Sequence, residues 1–171
     1  MKGPQMQVVK DALALFLRSL PLNSKFTVLS FGNNAQFIDI KGKTVLDMNE
    51  ENLMEMLKKI QNFQANYGNK ENRNIMKPLQ VIFDQKETTP SENRLKRIFI
   101  ITDGDIDLKN EREVSKLVEK DPNICIHTFG IGQLCKRKIV QDLATAGGGH
   151  CSILESIDNT NLLEDKVEEA L

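Results

Sequence analysis

The sequence predicts an α/β domain in which helices pack on a largely parallel sheet. Three observations carry this. Helix-like and strand-like segments alternate along the chain, the signature of a layered α/β architecture. The stretch "RIFIITDGDID", Arg97 to Asp107, holds a continuous apolar and β-branched run, which reads as a strand buried on both faces. Gly104 breaks that run and leaves Asp103 at its carboxyl end, where ligands bind in open α/β sheets.

Each element has its own local warrant. Met6, Val9, Leu13, Phe16, Leu17 and Leu20 recur at helical spacing, with Pro4 suited to a first turn and Pro21 closing the helix. "KFTVLSF", Lys25 to Phe31, is a strand. Gly32-Asn33-Asn34 turns the chain into "AQFIDI", Ala35 to Ile40, which alternates like an edge strand with one wet face. Asn49 caps a helix whose first turn carries Glu50 and Glu51 and whose buried stripe is Leu53, Met56, Leu57, Ile60 and Phe63.

After the polar loop "NYGNKENRN", a short helix presents Ile75, Met76, Leu79, Ile82 and Phe83. The surface loop "DQKETTPSEN" precedes the Arg97 strand. Asn110 and Glu113 form a capping box for a helix bearing Val114, Leu117 and Val118. "ICIHTFGIG" is a further strand, and Ile139, Val140, Leu143 and Ala144 make one face of the next helix, which stops at "AGGG". "HCSIL", His150 to Leu154, is a last strand, and Leu162, Leu163, Val167 and Ala170 mark a terminal helix.

The totals exclude several function classes. A length of 171 residues fits one domain able to bury roughly 70% of its extended surface. A formal charge of −1 argues against nucleic-acid binding by phosphate neutralisation. No apolar run is long enough to span a membrane. The three cysteines, Cys125, Cys135 and Cys151, lack CxxC spacing, so neither a disulfide framework nor a zinc site is expected, and a reducing, cytoplasmic compartment fits. Cys125 and Cys151 fall in strands, where each is read as a small buried apolar residue.

The chemical motifs are sparse. Asp103, Asp105 and Asp107 alternate as at the start of a calcium loop, but Leu108 and Val114 hold the places of its glycine and glutamate, which excludes an EF-hand. "GIG", Gly130 to Gly132, is a fragment of a dinucleotide fingerprint with Cys135 in place of the third glycine, and is read as a strand leaving through a turn. "CKRK", Cys135 to Lys138, is read as a solvated cationic run. His127 and His150 have no HxxxH or HxH spacing and no evident serine or cysteine partner. No catalytic residue is identified, and the chain reads as a non-enzyme.

Taken in order, "GPQMQVVKDALALFLRSLP", "FTVLSFG", "NIMKPL", "RIFIITDGD", "HTFGIG" and "LATAGGGH" resemble a von Willebrand factor type A domain. The resemblance is nearest to the group found in inter-alpha-trypsin inhibitor heavy chains and vault poly(ADP-ribose) polymerase. It implies one domain over residues 1–171 with a Rossmann-like, doubly wound, mostly parallel open sheet and helices on both faces. It also implies a metal-ion-dependent adhesion site, where magnesium is held by a DxSxS motif, a threonine and a later aspartate. Asp103 corresponds to that aspartate.

The other two places differ. "MKGPQM" corresponds to the stretch just after DxSxS, so the central first strand and its motif are expected to be missing and the domain N-terminally incomplete. Arg73 stands where the threonine is expected, next to Asn74, and is expected to pair with Asp103. Arg73, Asn74 and Asp105 are therefore the expected rim, and Asp103 a vestigial metal ligand. No cofactor is expected, and magnesium only if the native protein supplies DxSxS upstream.

These features imply a protein-interaction module with a degenerate adhesion site. Its partner is a protein, with no nucleic acid and no membrane. Self-association is expected through the strands "KFTVLSF" and "RIFIITD", which would flank the missing one. The alternative is a nucleotide- or phosphate-handling α/β enzyme whose phosphate loop was lost with the first strand.

Overall fold

The computed structural model describes residues 4–32, 35–63, 74–84, 95–103, 106, 108, 111–121, 123–133 and 135–154. The chain divides into two compact units, Met1–Glu71 with Ile157–Leu171, and Asn72–Ser156. The expected Asn110 cap and terminal helix lie outside the described residues.

In the first unit, α1 (Pro4–Ser19) buries Ala12, Ala14 and Leu17, with Leu13, Phe16 and Leu20 partly covered. The expected single strand over Lys25–Phe31 is two: β1 (Lys25–Phe26) and β2 (Leu29–Phe31). The reason is a change of partner. β3 (Ala35–Phe37) pairs antiparallel with β2, setting Leu29 against Phe37, and Ile38 N–H donates to the Val28 carbonyl at 2.8 Å. β4 (Leu46–Asp47), which carried no sequence signal, pairs antiparallel with β1.

Thr27 lies at the switch, its hydroxyl oxygen buried and without a hydrogen-bond partner among the described residues. α2 (Glu50–Gln61) begins as expected, the Asn49 side chain accepting from Asn52 N–H at 2.9 Å. Its Met56 and Ile60 are fully buried in a core shared with Leu17, Phe26 and Leu46. Burial of each such side chain is worth about 1.5–3 kcal/mol.

The second unit opens with α3 (Met76–Phe83), which buries Met76 and Leu79. β5 (Lys96–Thr102), β6 (Ile124–Ile131) and β7 (Gly148–Leu154) form a parallel sheet in the order β5-β6-β7. α4 (Glu111–Glu119) connects the first pair and α5 (Arg137–Ala146) the second. Parallel neighbours need such crossovers, so the alternation read from the sequence becomes an α/β Rossmann-like layer.

β6 is buried along nearly its whole length and divides its side chains by the strand period of two. Ile126, Thr128 and Gly130 face α5: the Thr128 hydroxyl donates to the Val140 carbonyl at 2.9 Å, and Val140 and Leu143 are fully buried. Cys125, His127 and Phe129 face the other way, where Phe99 stacks on His127 at 5.0 Å between ring centroids.

"AGGG" ends α5 as expected, at Ala146. It also starts β7 two residues early, because a β-carbon on Gly149 would collide with the Ile126 carbonyl. The cysteines depart from expectation. Cys125 and Cys151 are half-buried, and Cys135 is the buried one. No described helix is long and apolar enough to cross a membrane.

Candidate functional site

β5 ends at Thr102, which is buried, and Asp103 follows it at the carboxyl edge of the sheet. In the adjacent strand Thr102 pairs with Gly130. β6 runs one residue further and turns at Gly132, whose φ of 93° is a left-handed conformation suited to glycine. This is the strand-and-turn reading of "GIG". The chain then returns over the sheet, with Cys135 N–H donating to the Gly132 carbonyl at 3.2 Å.

That return places the Cys135 thiol over Gly130. A β-carbon at Gly130 would lie 2.6 Å from Cys135 Sγ, so the absence of a side chain creates the thiol's seat. Burial pushes the Cys135 thiol above its ordinary pKa; Cys151 and the Asp103 carboxylate push it further, while Arg137 acts in the opposite sense. Asp103 and Arg137 thus share one electrostatic neighbourhood around a buried sulfur.

"CKRK" is a cationic surface run only in part. Lys136, Arg137 and Lys138 are exposed at the start of α5, and Lys138 pairs with Asp142 one turn on at 2.6 Å, but Cys135 is sealed beneath them. Sequence reasoning did not connect this run with Asp103. The signal lay in "GIG" followed by "CKRK", which folds back onto a neighbouring strand once β5 and β6 are adjacent.

Of the expected rim, Asn74 is engaged in backbone capping: its side-chain oxygen accepts from Met76 N–H at 2.9 Å at the start of α3. Arg73 and Asp105 lie outside the described residues, and the expected Arg73–Asp103 ion pair with them.

Magnesium takes near-octahedral oxygen coordination. Among the described residues no group of three or more His, Cys, Asp or Glu side chains is arranged to hold a metal ion. The described groups that act electrostatically on the Cys135 thiol are Cys151, Asp103 and Arg137.

A second cluster lies on the sheet face opposite α5. Cys125 Sγ is 3.4 Å from His127 Nε2 and 3.3 Å from the Gly148 carbonyl oxygen, and His127 Nδ1 is 3.4 Å from the backbone nitrogen of His150. The two imidazoles are tilted, with centroids 5.9 Å apart. The sequence reading gave neither histidine a cysteine partner, and His127 has one. The two lie two positions apart, so the strand period puts both side chains on one face.

Residues 1–153 match the family profile of the von Willebrand factor type A domain. The chain belongs to the von Willebrand factor type A family. A von Willebrand factor A domain-containing protein of Dictyostelium discoideum is 31% identical over 168 residues, covering 98% of this chain and 16% of that protein. Von Willebrand factor A domain-containing protein 5A of Rattus norvegicus is 26% identical over 156 residues, 90% of this chain and 18% of that protein. The chain therefore spans less than a fifth of these relatives.

Among solved structures, a von Willebrand factor type A protein from Catenulispora acidiphila aligns with a TM-score of 0.75 at 20% identity, over 97% of this chain and 37% of that one. Proximal thread matrix protein 1 of the mussel byssus, described with a zinc-occupied MIDAS motif, aligns at 0.70 and 17% identity, over 97% and 42%. Both likenesses establish the α/β Rossmann-like fold of the von Willebrand A type.

Proposed function

We propose that this von Willebrand A chain is a non-enzymatic protein-interaction module whose metal-ion-dependent adhesion site is degenerate. The observation that carries this is the setting of Asp103. It stands at the strand end that the resemblance assigns to the family's aspartate, and its carboxylate and the Arg137 guanidinium both act on the buried Cys135 thiol. A guanidinium near that sheet edge disfavours a divalent cation there. The mussel protein's MIDAS motif supports the idea that this fold offers an adhesion site at all.

The resemblance to the inter-alpha-trypsin inhibitor and vault polymerase group belongs to the same reading, as do a protein partner and a reducing compartment. Thermal melting with millimolar magnesium, manganese or nucleotides tests it, since only a ligand that prefers the folded state raises the melting temperature. No shift is expected with any of them. Saturable magnesium binding tighter than about 1 mM, equivalent to roughly 4 kcal/mol, would overturn the degenerate site. A nucleotide-induced shift would favour a phosphate-handling enzyme instead.

A further inference from the structure

Cys125 sits in β6 with its thiol half-buried, between the His127 ring and the Gly148 carbonyl. The polarity of these contacts follows from a third. His127 Nδ1 accepts the backbone N–H of His150, so Nδ1 carries no proton. A neutral imidazole then holds its proton on Nε2, and Nε2–H donates to Cys125 Sγ. Burial, reinforced by Arg97 and His150, lowers the pKa of His127 and keeps the ring neutral.

This is the reverse of a cysteine–histidine nucleophile pair, in which a bare ring nitrogen takes the thiol proton. Here the ring cannot act as the base. It can hold a thiolate: once the S–H proton leaves the Gly148 carbonyl, Nε2–H···S becomes a charge-assisted hydrogen bond. Arg97, paired in register with Cys125, is exposed and contributes positive charge on the same face. A partly exposed thiol in an electropositive setting is the environment of a reactive cysteine.

The other thiols differ. Cys135 is 7% exposed, and burial raises its pKa. Cys151 pairs in register with Thr128 and so faces α5, away from the histidines.

We propose that Cys125 is a site of reversible S-thiolation, with a low-molecular-weight disulfide as its reaction partner. The Cys125 thiol loses its proton to water and the sulfur attacks one sulfur of the disulfide. A new S–S bond forms as the old one breaks, and the departing thiolate takes up a proton. Cys125 is oxidised and half of the disulfide leaves as free thiol. His127 is the hydrogen-bond donor to the reacting sulfur.

The test is to incubate the 171-residue chain with oxidised glutathione at pH 7 and map the modified cysteines by mass spectrometry over time. Cys125 should be glutathionylated first, and dithiothreitol should reverse it. His127→Leu, which removes the hydrogen-bond donor to the sulfur, should slow Cys125 without changing Cys151. His127→Gln, which keeps an N–H donor, should recover part of the rate. Earlier modification of Cys135 or Cys151 would overturn the proposal, as would an unchanged Cys125 rate in His127→Leu. If circular dichroism shows that His127→Leu is unfolded, the order in which the three cysteines react in the native chain is compared with that in the urea-unfolded chain. Cys125 leading only in the native chain supports the proposal, and the same order in both refutes it.

Discussion

The sulfur of Cys135 lies 2.6 Å from where a β-carbon on Gly130 would stand. Gly130 in turn pairs with Thr102, the residue before Asp103. One missing side chain on β6 thus lets the loop after that strand close over the sheet edge near Asp103.

Gly130→Ala should therefore displace Cys135, because the new methyl group would also meet Ile153 at 3.5 Å and Val140 at 3.6 Å. Overpacking of this kind costs about 1–3 kcal/mol. Urea denaturation should show a lower midpoint at unchanged slope. A loss below about 0.5 kcal/mol would mean that the loop yields freely.

Asp103→Asn tests the coupling around the sulfur. The Asp103 carboxylate raises the Cys135 thiol pKa, although burial contributes more. Removing the charge should move the pH midpoint of Cys135 alkylation downward. In the unsubstituted protein the same reaction reports on metal, because a magnesium ion on Asp103 would cancel its charge. Magnesium is expected to leave the Cys135 rate unchanged, and an accelerated rate would count against a degenerate site.

Thr27→Val should be neutral or stabilising. The Thr27 hydroxyl oxygen is buried without a hydrogen-bond partner among the described residues, at the point where the chain changes strand partners. An unsatisfied buried group costs about 1–3 kcal/mol, and an isosteric apolar replacement removes that cost. Thermal melting checks this, and a clear drop in melting temperature would reveal a bond that the hydroxyl makes elsewhere.

His127 gives the protein a predictable acid sensitivity. Its native pKa is lowered by burial first, then by Arg97 and His150. The groups packed on it are Phe99 from β5, Cys125 from β6 and His150 from β7, with Arg97 adding its charge. The unfolded histidine titrates near 6.5. Below that pH the unfolded chain binds a proton that the native chain refuses, so this contribution to stability is present above about pH 6.5 and is lost as pH falls toward the native pKa. Denaturation at pH 7.5 and 5.5 should show a smaller loss in His127→Gln than in the unsubstituted protein. Equal losses would place the sensitivity elsewhere.

Local chemistry made much of the fold readable from the chain alone. The cap at Asn49, the apolar run ending at Asp103, and the glycines after Ala146 each act over a few residues, and the structure has them at the expected places. The family was legible for the same reason, since its segments keep their order even where each is short. Register was not legible. Lys25–Phe31 has the composition of one strand, but which backbone pairs with each half is decided by residues 35–38 and 46–48, and β4 exists only through that pairing. The site divided the same way. Asp103 announced itself by position, whereas its neighbourhood with Cys135 and Arg137, and the contact of Cys125 with His127, required β5, β6 and β7 to be laid side by side. A sequence fixes which groups are present and their local conformation. Proximity between groups on different strands, and hence the charge, desolvation and hydrogen bonding that tune their chemistry, arises only when tertiary packing brings those strands together.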